Sequence, residues 1–420
     1  MVTRAIENHL ETIMPHDRMQ HLMLDELRKL DADGRRKGAE SVIASVVPAQ
    51  DGRGPRFLIE GEGDKPFLRM NANNYLGMSV RDELIAAEDG GVRRYGTGPG
   101  AVRFISGTWT PHRELERRLA AFHGREAAMV FSSAYAAMLG LLPQLVTDET
   151  AIISDALNHS CIINAIRLAR PRERHVYRHL DLAELETQIK LAANSCRRAI
   201  VVTDGVFSMR GDHAPLADID ELARKYDAAF PENLLVVVDD SHGVGAFGPT
   251  GRGTEEQSGA TADILVGTLG KAFGVNGGYV VADATIIRYL RETSPFYIYS
   301  NPITPSEAAA AHRAVDLVDS PAGAAMLAHL RAMTARFKQG LIRLGLETLP
   351  GEHPVVPLML RDTARTAALV AHLRRSGILA TGLNFPVVPK GDEEIRFQIS
   401  ADHTAADIDA ALKAVAGSAG

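Results

Sequence analysis

Cysteine is scarce in this chain of 420 residues, which carries only Cys161 and Cys196. Two thiols cannot build a disulfide framework, and neither falls in a metal-ligand spacing, so both are expected to be free and no metal centre is expected. A basic excess is missing too: 46 Lys and Arg stand against 52 Asp and Glu, for a formal charge of −6. That balance excludes the polycationic surface that nucleic-acid binding needs. Long apolar runs are lacking, since stretches such as Leu234 to Val238 are interrupted within a few residues, far short of the roughly 20 that cross a bilayer. The first residues, Met1 to His9, place Glu7 and Asn8 early and have no apolar signal-peptide core. The expectation is a cytoplasmic protein with neither membrane nor nucleic-acid partners. Internal repeats and low-complexity tracts are absent as well. What remains, 45% hydrophobic and 23% charged residues, is the composition of a globular enzyme, long enough for one large domain and a smaller appendage.

Residues 1 to about 40 have helical spacing at Leu10, Ile13, Met14, Met19, Leu22, Leu24 and Leu27, a pattern that predicts packing against something larger. Between 46 and 72, Gly and Pro punctuate two strand-like runs, Arg56 to Glu60 and Pro66 to Met70, which predict a hairpin. Strands are then expected at Ala127 to Ser133, Ala151 to Asp155, Arg198 to Val206, Leu234 to Asp240, Asp263 to Gly267 and Gly278 to Ala282. Helices, clearest at Leu182 to Ala193 and Leu216 to Tyr226, lie between several of them. This alternation predicts an α/β fold with a mostly parallel sheet, covered on both faces and binding ligands at the carboxyl ends of its strands. From about 306 a helical stretch to Leu344 precedes a small α+β lobe with elements at Val355 to Leu360, Arg365 to Ser376, Ile378 to Val388, Glu394 to Ser400 and Ala405 to Ala416. The expected division is an N-terminal segment (1–72), a large domain (73–305) and a small C-terminal domain (306–420), with a frayed Gly-Ser-Ala-Gly tail.

Lys271 follows an apolar strand in a turn of small residues, Gly267-Thr-Leu-Gly-Lys-Ala-Phe-Gly274. An amine held in an apolar pocket loses its proton more easily and can form a Schiff base with a carbonyl. Gly270, Gly274, Gly277 and Gly278 leave room for a ligand near the backbone. Asp239 and Asp240 end a second apolar strand, where a carboxylate is costly unless a cation or donor meets it. The protonated nitrogen of a pyridoxal phosphate ring is such a partner. His242 is within reach of the phenolic oxygen of the same ring. His159, beside a cap at Asn158, can stack on a planar cofactor and hold or move a proton. Ser132-Ser133-Ala134-Tyr135 closes a strand and opens a helix, whose free amides make a phosphate site. Ser208 and Thr268 place hydroxyls at strand ends, as donors to phosphate or phenolate.

Eight blocks in order, from about Asn71 to about Thr404, resemble the α-oxoamine synthases, pyridoxal-phosphate enzymes of aminotransferase fold type I. They are Asn73-Asn-Tyr-Leu-Gly77, Val102-Arg-Phe-Ile-Ser-Gly-Thr108, Ile153-Ser-Asp-Ala-Leu-Asn-His159, Thr203-Asp-Gly-Val-Phe-Ser-Met209, Val238-Asp-Asp-Ser-His242, Gly267-Thr-Leu-Gly-Lys-Ala272, Ser300-Asn301 and Val387-Val-Pro-Lys-Gly391. Within the family the chain is most similar to the glycine C-acetyltransferase group. The resemblance implies that Lys271 carries the cofactor and later serves as base, Asp239 holds the ring nitrogen protonated and His159 stacks on the ring. It also implies that His242 and Ser208 contact the phenolic oxygen, while Thr268 and the amides of Ala134 and Tyr135 bind phosphate. Ser300 and Asn301 would approach that phosphate from the other subunit of a homodimer. Arg396, with Asn74 beside it, would grip the amino-acid carboxylate.

The implied activity is a C-acyltransferase that joins an amino acid, glycine favoured, to an acyl thioester, acetyl-coenzyme A favoured. The products are an α-amino ketone and free coenzyme A, with or without loss of carbon dioxide. Departures from the group keep neighbouring chemistry open. Arg210 stands where the group has an acid, Ala136 and Met138 stand where it has Asp and Asn, and the turn from Lys271 to Gly278 is one residue shorter. The shorter turn looks more like 5-aminolevulinate synthase or serine palmitoyltransferase, and Ala136 and Met138, apolar where the group is polar, are expected to change the acyl pocket and suit a longer or different acyl chain. Another amino acid or thioester, as in 8-amino-7-oxononanoate synthesis, with coenzyme A or an acyl carrier protein as donor, therefore stays open. Aminotransferases and lyases share the fold.

Overall fold

The computed structural model describes residues 16–33, 35–36, 40–385 and 388–417. Leu10, Ile13 and Met14 of the expected first helix, Val387 of the tail motif and the last three residues lie outside the described residues. Seven strands form the central sheet, in the spatial order Ala127–Phe131, Gly278–Ala282, Ile264–Thr268, Leu234–Asp239, Arg198–Asp204, Thr150–Asp155, Glu173–Tyr177. The run from Ile264–Thr268 to Glu173–Tyr177 is parallel throughout, whereas Gly278–Ala282 is antiparallel to both its neighbours. The fold is therefore α/β with a mixed, mostly parallel sheet.

The central strands read as unbroken apolar runs because both faces are covered. Ile200, Val202 and Val237 pack into one hydrophobic layer and Val201, Val236 and Val238 into the other, an alternation set by the two-residue period of a strand. The edge strand Glu173–Tyr177 escapes sequence reading: it alternates half-buried and exposed residues and has one fully buried side chain, Tyr177. Where one helix to Leu344 is expected there are two, Pro305–Val318 and Pro321–Arg343. The break has a local cause. Ser320 caps the second helix by accepting from the Gly323 amide at 3.3 Å, and Pro321 takes the first helical position, where its missing N–H costs nothing.

The N-terminal region departs further from expectation. Arg56–Ile59 pairs chiefly with Ile43–Val47, and the expected hairpin survives only as a bridge between Phe57 and Phe67. Leu68–Arg69 instead runs parallel to Ile378–Leu379. The segment thus lies against the C-terminal part of the chain, which also forms a four-stranded sheet in the order Glu347–Thr348, Val355–Met359, Glu394–Gln398, Thr381–Leu383. An ion pair of Arg56 with the fully buried Asp407 anchors it there. The helix Asp17–Ala32 buries none of its residues within the chain. Farther on, the Met70 carbonyl accepts from the Gln398 amide and the Tyr75 carbonyl from the Ala401 amide, both at 2.8 Å. These bonds carry the Asn73-Asn-Tyr-Leu-Gly77 motif alongside Glu394–Gln398, which holds Arg396.

Two of the glycines around Lys271, Gly274 and Gly278, are required by close backbone packing, whereas Gly270 has room beside it. A Cβ on Gly278 would lie 2.1 Å from the Ala134 nitrogen, and one on Gly274, whose φ is +71°, would lie 2.5 Å from the Ser79 nitrogen. Gly278 therefore sets how closely the helix Ala134–Leu145 approaches the sheet. Gly278→Ala is expected to cost on the order of 2 kcal/mol through overpacking and backbone shift, visible as a lower thermal midpoint; an unchanged midpoint would refute the role.

Candidate active site

Four strands deliver the functional side chains to the carboxyl edge of the sheet. The strand Leu234–Asp239 ends on a carboxylate that is 4% exposed. The Asp239 Oδ1 accepts from the Ser241 amide at 3.1 Å and Oδ2 from the Cys161 thiol at 3.3 Å. Among the described residues Asp239 makes no ion pair. Asp240, considered with it from the sequence, points elsewhere: its oxygens accept from the Thr254 amide at 2.7 Å and hydroxyl at 2.6 Å, and burial lifts its pKa to about 7. Successive strand residues face opposite sides, so one acid serves the cleft and the other caps a helix.

Lys271 follows Ile264–Thr268 within electrostatic reach of Asp239 and Asp204. Burial lowers its pKa against the pull of those two acids. A fraction of neutral amine near neutral pH is what a nucleophilic lysine requires. Asp204 ends the neighbouring strand opposite Asp239, and burial, then the Asp239 charge, raises its pKa well above the usual carboxylate range. Sequence reading missed it, although the signal, a carboxylate closing a buried strand in Thr203-Asp-Gly205, is the one that marks Asp239.

His159 is the cap of the helix Ser160–Ala169, correcting the expected cap at Asn158. Its Nδ1 accepts from the Cys161 amide at 3.2 Å. Asn158 is buried and instead ties strands together, donating to the Val202 carbonyl at 2.8 Å and accepting from the Asp204 amide at 2.8 Å. Desolvation lowers the His159 pKa against the Asp239 charge. His242 is buried and neutral, its pKa held well below the usual imidazole value by burial and by Lys271. The Tyr75 hydroxyl meets its Nδ1 at 2.7 Å, and His353 Nε2 donates to its carbonyl at 2.9 Å. Neither Tyr75 nor His353 was singled out from the sequence, because their contact with His242 spans 167 and 111 residues.

The Ser133 hydroxyl caps the helix Ala134–Leu145 by accepting from the Ala136 amide at 3.0 Å. The Ala134 and Tyr135 amides keep no acceptor among the described residues, as the first amides of a helix do. The Thr268 hydroxyl is 3.3 Å from the Gly277 carbonyl. Met138, expected to line an acyl pocket, is fully buried in the core, so only Ala136 of that pair stays partly accessible. Ser208 stands half-buried in the loop after Arg198–Asp204, and its carbonyl accepts from Arg396 Nη1 at 3.1 Å. Arg396 Nε is buried with no partner, open to an incoming acceptor. Asn74 is half-buried, its carbonyl accepting from the Ser400 hydroxyl at 2.8 Å. Ser300 is half-buried and Asn301 exposed, and among the described residues the Ser300 hydroxyl reaches only the Asn301 carbonyl.

Cofactor chemistry fits this donor set: a buried carboxylate without an ion pair, a buried lysine of lowered pKa, and free helix amides together. Residues 65–415 match the profile of aminotransferase class I and II. The chain is 42% identical over 347 residues to the 2-amino-3-ketobutyrate coenzyme A ligase of Escherichia coli K12, covering 82% of this chain and 85% of that one. It is 41% identical over 375 residues to the 8-amino-7-oxononanoate synthase of Citrifermentans bemidjiense, covering 89% and 93%. A serine palmitoyltransferase of Sphingomonas wittichii superposes with a TM-score of 0.85 at 28% identity, over 96% of this chain and 98% of that one. Another, solved with pyridoxal phosphate, gives 0.82 at 26% identity with the same coverage. Fold and cleft define a pyridoxal-phosphate enzyme of aminotransferase fold type I. Within that class the chain belongs to the α-oxoamine synthases, C-acyltransferases that use pyridoxal phosphate. Among the described residues no helix is long and apolar enough to cross a membrane.

The loop carrying Ser208 is held by His179, which sits between Asp155 at 3.0 Å and Asp212 at 3.2 Å with its ring edge on Phe207. Despite desolvation, these two carboxylates raise its pKa to about 9. A raised folded-state pKa stabilises fully below the ordinary value near 6.5 and ceases to do so as pH rises through about 9. Thermal stability is therefore expected to fall across that window in the wild type and to fall less in His179→Gln; parallel curves would count against the arrangement.

Proposed function

We propose that the enzyme condenses glycine with acetyl-coenzyme A, with Lys271, Asp239 and His159 as the centre of the site. The reading rests on one observation above all: the lysine of lowered pKa lies within electrostatic reach of a buried carboxylate that makes no ion pair among the described residues. When bound, pyridoxal phosphate supplies an electron sink for the amino-acid α-carbon. Lys271 would hold it covalently and afterwards hold and move the α-proton. Asp239 would keep the ring nitrogen protonated, and His159 would lie on the ring face, its Nδ1 engaged by the Cys161 amide and its Nε2 left for the proton. His242 would turn Nε2 to the phenolic oxygen, since Tyr75 occupies Nδ1, and Ser208 would join it there. Thr268 and the Ala134 and Tyr135 amides would take the phosphate. Arg396, steadied by the Ser208 carbonyl, would grip the substrate carboxylate beside Asn74. As the α-carbon bonds to the acyl carbonyl, the carbon–sulfur bond breaks and coenzyme A leaves as the thiol.

A homodimer is part of the reading. Ser300 and Asn301 of the partner subunit would complete the phosphate site. The exposed Phe104, Ile105 and Tyr299, 62%, 64% and 75% accessible in the single chain, favour an interface between copies. The cofactor unit is taken as residues 73–305, with 306–420 as the smaller domain. A second reading keeps the chemistry but exchanges the thioester for a longer one, and the 41% identity to an 8-amino-7-oxononanoate synthase favours it.

Borohydride reduction followed by peptide mapping is expected to place the cofactor on Lys271; a label elsewhere, or none, defeats the proposal. Glycine is expected to perturb the visible spectrum and to release thiol from acetyl-coenzyme A. If only bulky amino acids do so, glycine is wrong, and thiol release confined to longer thioesters selects the second reading. Arg396→Ala is expected to raise KM for the amino acid on the order of a hundredfold, the worth of a charge-assisted contact; an unchanged KM would remove Arg396 from the carboxylate site.

A further inference from the structure

Cys161, read from sequence only as a free thiol, lies 2% exposed at the start of the helix Ser160–Ala169, beneath the cleft. Its sulfur is 3.3 Å from Asp239 Oδ2 and 3.0 Å from His159 Nδ1. The His159 Nδ1 lone pair already accepts the Cys161 amide hydrogen at 3.2 Å. The one thiol hydrogen is therefore directed to Asp239. With the Ser241 amide on Oδ1, both oxygens of the carboxylate carry a donor from the chain and its plane is fixed.

We propose that Cys161 is a positioning residue for the cofactor. By donating to Asp239 it holds the carboxylate toward the ring nitrogen and weakens its basicity, so that the proton shared by the two stays on the ring. Burial beside Asp239 and Asp204 raises the thiol pKa, which keeps the donor hydrogen in place through the working pH range. The amide and side chain of this single residue also couple the two groups flanking the ring, since the amide sets His159 and the thiol sets Asp239. The inference rests on the reading that pyridoxal phosphate is linked to Lys271 with its nitrogen at Asp239.

Full-length holoenzyme carrying Cys161→Ala, Cys161→Val or Cys161→Ser provides the test, read by the rate of cofactor loss on dilution and by the pH midpoint of the visible absorbance. Valine preserves the apolar packing without a donor, and serine preserves the donor. Loss of one such hydrogen bond is expected to speed cofactor release about fivefold in the alanine and valine variants. It is also expected to shift the absorbance midpoint upward, because a more basic carboxylate takes a larger share of the ring proton, and a less positive ring withdraws less from the nitrogen of the lysine linkage. The serine variant is expected to keep both wild-type values. Wild-type behaviour of the valine variant in both readouts, or a serine variant that fails with the other two, overturns the proposal. Borohydride mapping of the wild type separates the two levels: a label on Lys271 with unaffected variants rejects only the role of Cys161, whereas a missing label rejects the cofactor reading itself.

Discussion

A carboxylate removed from water at the end of a buried strand must be met by positive charge or by donors, and the cleft is organised around that requirement at Asp239. Burying an isolated ion costs several kcal/mol even after relaxation. The chain meets it with one backbone amide and one thiol, and no side chain among the described residues closes an ion pair. Asp204 beside it intensifies the demand, since two acids this close cannot both ionise cheaply, and its own pKa is driven upward. The arrangement is poised for a cation that comes from outside the polypeptide.

The other features of the cleft follow from the same low-dielectric setting. Desolvation that penalises the carboxylates also penalises the Lys271 ammonium and keeps His242 neutral. A neutral imidazole has one donor and one acceptor nitrogen, so its orientation matters. Tyr75, whose phenol burial keeps protonated, and His353, which grips the His242 carbonyl, restrict that orientation. Arg396 enters from the smaller sheet, and its contact with the Ser208 carbonyl links this lobe to the large one at the cleft.

The helices Leu216–Tyr226 and Ala405–Ala416 and the strand Gly278–Ala282 were legible to the residue, since each combines a clear apolar period with a polar or small-residue boundary. The strands Glu173–Tyr177 and Ile43–Val47 were not, because edge and surface strands mix exposed residues into a pattern that resembles a loop. Lys271, Asp239 and His159 stood out because each ends a strand or follows one within a few residues. Tyr75, His353 and Cys161 resemble ordinary core residues in sequence. Cys161 in particular carries only the generic signal of a buried thiol, and its contact with Asp239 crosses 78 residues.

Local chemistry, written in the chain, determined the alternation of strands and helices, the small-residue turn that presents a lysine, and the family whose blocks occur in order. Tertiary packing alone decided that Asp240 turns to the Thr254 amide and hydroxyl, that a helix terminus packs against Gly278, that the 43–76 region rests on the C-terminal part of the chain, and that a thiol meets the buried carboxylate. The division has a physical reason. Periodicity and capping act over a few residues and leave a mark at each position, whereas burial, pKa and hydrogen-bond partnership depend on which distant segments the folded chain brings within a few ångströms.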